Sequence, residues 1–255
     1  MRSRPACIAA ATLVLALAAC GGDDDDATSA TTTPTPAATA PSTTEAATDA
    51  PGTTAGETSP SEAGDGPNAT VSPDLPDVYQ GEVGPVEIQG DSLPELPDSS
   101  GDNDPAKGLA APVVIGEDFD GNTVRIDAAN DGVTLVVFLA HWCPHCNREV
   151  PHINELRDAG AFPEDLNIIG VSTGISPDRP NWPPSEWFED MDWTYPVIAD
   201  GVDMERQTFI AADAYGLTSF PFMTLIDADG KVLARWSGEM EKEDLLQKIE
   251  DNLPT

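Results

Sequence analysis

Large aromatic side chains are distributed very unevenly along this chain. Of 15 Phe, Trp and Tyr residues, only Tyr79 lies before residue 108. A segment without such side chains cannot bury enough apolar area to offset the entropy of ordering it. The sequence therefore places one core in the second half, at 108–255. That segment is long enough for a single ordinary domain.

The first half reads as an address followed by a spacer. Arg2 and Arg4 precede an apolar run from Ala6 to Ala19. At about 14 residues the run is too short to span a bilayer but suits a secretory signal. It ends in Leu17-Ala18-Ala19-Cys20, which resembles the bacterial lipoprotein box. That resemblance implies removal of residues 1–19 and lipidation of Cys20, holding the chain outside the cell membrane by acyl chains. The rival reading is an ordinary signal peptide with Cys20 incidental. Residues 20–107 then form an acidic linker rich in Pro, Thr and Ala. From Gly21 to Lys107 there are 18 acids and one base, and half of the 24 prolines. Such a composition predicts a disordered tether with a root-mean-square reach of roughly 50 Å. Residues 71–106, with Val71, Leu75, Val78, Val86 and Ile88, leave room for loose packing on the domain but show no strong period. The formal charge of −33 excludes nucleic acid as a partner, because phosphate binding needs a basic face.

Within 108–255 strand and helix signals alternate, which predicts an α/β fold with a mixed central sheet flanked by helices and an N-terminal β-hairpin. Pro112–Ile115 and Thr123–Ile126 flank the Asp120-Gly121 turn. Val133–Leu139 is a continuous apolar run, as in a strand covered on both faces. Residues 144–158 read as a helix stopped at Gly160. Leu166–Ser172 reads as a second buried strand. Helices are expected over 184–191, 207–215 and 241–252, with a hairpin at Phe222–Ile226 and Val232–Trp236 around Asp229-Gly230.

The chemistry sits in Trp142-Cys143-Pro144-His145-Cys146, between the apolar strand and the helix. A Cys-x-x-Cys there reads as a redox dithiol. The free N–H groups of a helix start favour thiolate at Cys143, and Pro144 can occupy the first turn without losing a hydrogen bond. Cys143 is expected to be the exposed nucleophile and Cys146 the buried resolving thiol. His145 between them can stabilise the Cys143 thiolate by charge and hydrogen bonding. Three other readings compete. Zinc would need two further ligands, and His141, His145 and His152 are the only histidines. An inert disulfide would stabilise little by closing so short a loop. A non-catalytic scaffold would make the lipid and tether the point of the molecule. His141 is expected to shape the surface beside Trp142, and His152 to be exposed. Trp182, Trp187 and Trp193 are expected to be core and loop anchors.

FLAHWCPHCNREVP, with SFPFMTLIDADGKV placing Pro221 75 residues after Cys146, resembles the thioredoxin-like TlpA/ResA disulfide oxidoreductases. The likeness runs from Ala110-Ala111-Pro112 onward, about 145 residues. It implies a thioredoxin-like fold and a membrane-anchored extracytoplasmic thiol–disulfide oxidoreductase acting on protein disulfides, with no cofactor. It also implies a cis Pro221 facing the dithiol, with the backbone of Phe220 free to pair with a client segment. Pro151 matches the proline that kinks the family's active-site helix. Glu149 matches the family's acid, a partly buried carboxylate able to exchange the resolving thiol's proton. Trp142, Phe220, Pro144 and His145 would contact substrate. A membrane protein with its own Cys pair would supply or take the electrons. One feature departs from the family: Cys-Pro-His-Cys is the dipeptide choice of DsbA-type oxidases, so a disulfide oxidase or isomerase is the alternative to a reductase. A copper metallochaperone is a further one, although no His follows His152. Peroxidase chemistry lacks the upstream Pro-x-x-x-Thr-x-x-Cys loop.

Overall fold

The computed structural model describes residues 68–69, 76–97 and 103–254. The signal segment, Cys20 and most of the tether lie outside the described residues. An antiparallel sheet in the order β1-β2-β3-β4 comes first, from β1 (Asn68–Ala69), β2 (Val86–Gln89), β3 (Val113–Glu117) and β4 (Thr123–Ile126). After α1 (Ala128–Asp131) the chain enters β5 (Thr134–Leu139), α2 (Cys146–Asp158), β6 (Asn167–Ser172), α3 (Pro184–Asp190) and β7 (Val197–Ala199). A short pair, β8 (Val202–Asp203) and β9 (Thr208–Phe209), leads to α4 (Ile210–Ala214), β10 (Phe222–Ile226), β11 (Val232–Ser237) and α5 (Lys242–Asn252). The central sheet runs β11-β10-β5-β6-β7, with β5, β6 and β7 parallel and β10 antiparallel to both neighbours. The mixed sheet flanked by helices that the sequence predicts is therefore present.

All six residues of β5 are buried, which explains the unbroken apolar run in the sequence. The two-residue period of a strand sends them to opposite faces. Val136 and Phe138 join Phe222 and Tyr215 on one side. Leu135, Val137 and Leu139 join Val150, Ile153, Met223, Leu245 and Ile249 on the other, beneath α2 and α5. Helix α2 stops where Gly160, at φ +60, donates to Arg157 and Ala161 donates to Leu156. Its start is one correction: the helix begins at Cys146, not at residue 144.

The larger correction concerns the start of the folded unit. Residues 85–97 and 103–106, read as the end of a disordered tether, form a strap on the domain. Val86, Ile88, Leu93, Leu96 and Ala106 are buried in the first core cluster. β2 pairs with β3, and the N–H groups of Leu93 and Leu96 donate to Ala214 and Gly216. Arg235 fixes the strap: its guanidinium bonds Asp104 at 3.0 and 2.6 Å and the carbonyls of Pro94 and Tyr215 at 2.8 Å each. Gly216 is required at this crossing, because a Cβ there would lie 2.3 Å from the Pro94 oxygen. The helix expected over 207–215 is also shorter. Gln207 adopts φ +57 and Thr208–Phe209 pair with β8. The helix starts only at Ile210, where Asp200 accepts the N–H groups of Ala211 and Ala212.

Candidate active site

The turn after β5 is closed by the Cys143 N–H on the Ala140 carbonyl, which delivers both cysteines to the head of α2. Both thiols are free and both are buried. Cys146 sits in the core as expected, but Cys143 is only 4% exposed, which corrects the expectation of an exposed nucleophile. Trp142 and Phe220 pack against the cluster that holds it. The Cys143 Sγ lies 3.8 Å from the Phe220 carbonyl oxygen.

The two thiols are driven apart in acidity. The Cys143 thiol is held down to about 6, chiefly by a hydrogen bond from Cys146. Burial opposes this, while the N–H groups of Cys146 and His145 and the charge of His145 assist it. Burial, and the bond it gives Cys143, push the Cys146 thiol far up. Glu149, one turn along α2 on the same side, is fully buried rather than partly so. Burial pushes its carboxyl up to about 7, against the pull of the Met240 N–H, which donates to Oε2 at 2.7 Å. Its Oε1 has no partner.

The remaining site residues frame this dithiol. Pro144 and His145 are exposed. The His145 Nδ1 lies 3.0 Å from Arg148 Nη2 and 3.3 Å from Glu239 Oε2. The neutral ring can thus accept from the arginine, and the protonated ring can pair with the carboxylate. The Phe220–Pro221 peptide is cis. Phe220 precedes β10, so its backbone pairs with neither flanking strand. Trp142 is half-buried; its indole N–H donates to Gly174 at 2.7 Å and its ring meets Phe220 edge-on at 5.9 Å. Gly174, at φ +61, admits this contact because a Cβ would fall 2.6 Å from the Phe220 ring.

Two histidines differ from expectation. His141 is buried, not a surface group: Nδ1 meets the Pro180 carbonyl at 2.8 Å and Nε2 accepts the Ser176 N–H at 3.1 Å. Burial lowers its basicity, consistent with a neutral ring that staples the loop after β6. His152 is half-buried and bonds the Met240 carbonyl at 2.7 Å. Trp187 and Trp193 are buried anchors, as expected. Sequence reasoning missed Asn147 and Met240. Asn147 donates to the Cys143 carbonyl at 2.8 Å and accepts from the Trp187 indole at 3.0 Å. Its position beside Cys146 was the one available signal. Met240 is gripped through its N–H by Glu149 and through its carbonyl by His152. It lies 94 residues past Cys146, with no local motif to mark it. Among the described residues no group of three or more His, Cys, Asp or Glu could hold a metal ion, and no helix is long and apolar enough to cross a membrane.

Residues 104–235 match the AhpC/TSA family. The thiol–disulfide oxidoreductase ResA of Geobacillus thermodenitrificans is 32% identical over 154 residues, covering 58% of this chain and 79% of that protein. Its counterpart from Geobacillus kaustophilus is 28% identical over 153 residues, with the same coverage. Among solved structures, a putative thiol:disulfide interchange protein DsbE from Chlorobium tepidum is 25% identical, covering 58% of this chain and 98% of that one, with a TM-score of 0.45. By its family match and its relatives, the chain belongs to the AhpC/TSA family and is a thioredoxin-fold thiol–disulfide oxidoreductase of the ResA/TlpA type.

Proposed function

We propose that this protein is a membrane-anchored, extracytoplasmic reductase of protein disulfides that works through Cys143 and Cys146. The observation that carries the reading is the division of labour between the thiols. One is shifted toward the thiolate beside Phe220, which lies outside both strand ladders, and the other is held protonated on the helix that carries a buried acid. The Cys143 thiolate attacks one sulfur of a client disulfide, forming a mixed disulfide and releasing the other client sulfur as a thiolate. Cys146 gives its proton to Glu149 and attacks Cys143, releasing the second client thiolate and leaving the Cys143–Cys146 disulfide. Two electrons pass to the client, and two protons complete its thiols. Glu149 suits the acceptor role because Oε1 has no protein donor and its acidity matches neutral pH.

Phe220 would hold the client segment by its backbone, as an added strand, with the cis Pro221 facing the dithiol behind it. Trp142, Pro144 and His145 would form the rim it crosses. A membrane protein with its own Cys pair would return the electrons. Cys20 would carry the lipid, with residues 1–19 removed and the acidic tether holding the domain clear of the membrane.

The trapping experiment tests this directly. Cys146→Ala is expected to accumulate mixed disulfides with client proteins, and Cys143→Ala to accumulate none. Absence of a trapped species in both variants would sink the mechanism. The oxidase alternative draws on one observation, the stabilised Cys143 thiolate, because a more stable reduced form makes a stronger oxidant. The dithiol potential separates the two: near about −270 mV for a reductase, near about −120 mV for an oxidase.

A further inference from the structure

Among the described residues, every arginine but one faces a carboxylate. Arg125 pairs with Asp127, Arg148 with Glu239, Arg157 with Asp158 and Asp192, Arg206 with Asp203 and Asp213, and Arg235 with Asp104. Arg179 pairs with none, in a sequence holding 45 acids against 12 Lys and Arg. It is exposed, and its guanidinium lies over the Trp142 ring, 4.9 Å from the centroid. Trp142 directly precedes Cys143 and meets Phe220 edge-on. The one unpaired guanidinium of the described residues thus sits beside the dithiol, on the wall shared with Phe220.

The ring contact does not use up this group. A guanidinium over an indole is attracted by the face of the ring, and with five N–H donors it keeps donors that the ring does not occupy. Those donors match a carboxylate in bidentate geometry. Contact with the ring also restricts the side chain, so less entropy is lost when a partner binds. The surrounding field makes the placement selective. A domain this acidic repels acidic client segments in general, and a guanidinium without a carboxylate partner at the mouth reverses that locally.

We propose that Arg179 selects client segments that carry an acidic side chain next to the disulfide-bonded cysteine. This rests on the reductase reading above. The test uses the reduced full chain in neutral detergent and two synthetic peptides, each closed by one internal disulfide. The peptides differ at a single residue beside the cysteine, Asp in one and Lys in the other. The readout is the ratio of their single-turnover reduction rates. Any change that Arg179 substitution makes in the Cys143 nucleophile multiplies both rates equally and cancels. Arg179→Glu is expected to lower the Asp-to-Lys ratio roughly five-fold at low salt, with Arg179→Met falling between, as a rim charge pair of ordinary strength requires. Raising the salt should shrink that difference. An unchanged ratio in Arg179→Glu would overturn the assignment. Failure of the unsubstituted protein to reduce either peptide would sink the reductase reading, and this inference with it.

Discussion

Arg235 and Glu149 are both buried ionisable groups, one holding the strap and the other standing behind the dithiol, and they are treated in opposite ways. The Arg235 guanidinium donates four hydrogen bonds, two of them to the Asp104 carboxylate, whose side chain is itself only 6% exposed. Glu149 has one bond to one oxygen and nothing on the other. A buried charge whose partners are all present ties distant segments together. A buried acid left one partner short titrates close to physiological pH, and so can take up and release a proton. Of these two groups, the fully paired one holds the fold and the incompletely paired one stands at the reacting site.

The largest expected effect breaks the first half of that contrast. Arg235→Ala leaves Asp104 buried without its cation and strips the Pro94 and Tyr215 carbonyls of a donor. The cost should be about 3–5 kcal/mol, read as a fall in the urea midpoint. Arg235→Met combined with Asp104→Leu should lose much less, because no charge is stranded. If the strap serves the fold, the alkylation pH profile of Cys143 should remain where it is in both variants. A shifted profile would mean that the two regions are not separate.

Glu149→Gln addresses the second half. The raised carboxyl binds a proton in the folded state that the unfolded chain has already lost. Stability of the unsubstituted protein must therefore fall as pH rises from about 4.5 to about 7, and stay low above that. The step should amount to about 3 kcal/mol and be missing from the pH–stability curve of Glu149→Gln. Resolution of the mixed disulfide should slow on the order of 10²-fold in the same variant. A curve with the same step in both proteins would show that another group is responsible.

The contrast also explains what could be read from the sequence. β5, the two Asp-Gly hairpins, the dithiol at the head of α2 and Pro221 were legible because each is marked by neighbours within a few residues: an apolar run, a turn pair, a tetrapeptide. The strap was not. Val86 and Ile88 alternate over four residues only, too few to establish a period, and Asp104 meets Arg235 across 131 positions. The short start of α4 was hidden for the same reason, since Asp200, which caps it, lies 11 residues upstream. The site divided along similar lines. Cys143, Cys146 and Glu149 are legible from the spacing and the family resemblance, but the burial of Cys143 depends on Trp142 and Phe220 meeting across the fold. The partner of Glu149, Met240, belongs to a loop with no local signal.

Asp200 lies between the two extremes and yields the smallest and sharpest prediction. Like Glu149 it is a buried acid with no cation, and burial pushes it up to about 6. Unlike Glu149 it has both oxygens occupied, Oδ1 by Ala211 N–H at 2.8 Å and Oδ2 by Ala212 N–H at 3.1 Å. In Asp200→Asn one oxygen becomes an amide that cannot accept, so one N–H at the start of α4 loses its partner at a cost of about 1–3 kcal/mol. At pH 8 the substitution also removes a desolvated charge worth about 3 kcal/mol, and the two effects nearly cancel. At pH 5 the native acid is already mostly protonated, so the relief roughly halves while the lost bond remains. Asp200→Asn should therefore be close to neutral at pH 8 and destabilising by about 1 kcal/mol at pH 5, measured by urea unfolding at both values. A difference independent of pH would show that full pairing by backbone N–H groups suffices to keep a buried carboxylate ionised. The empty oxygen of Glu149 would then be the whole reason for its proton, rather than burial itself.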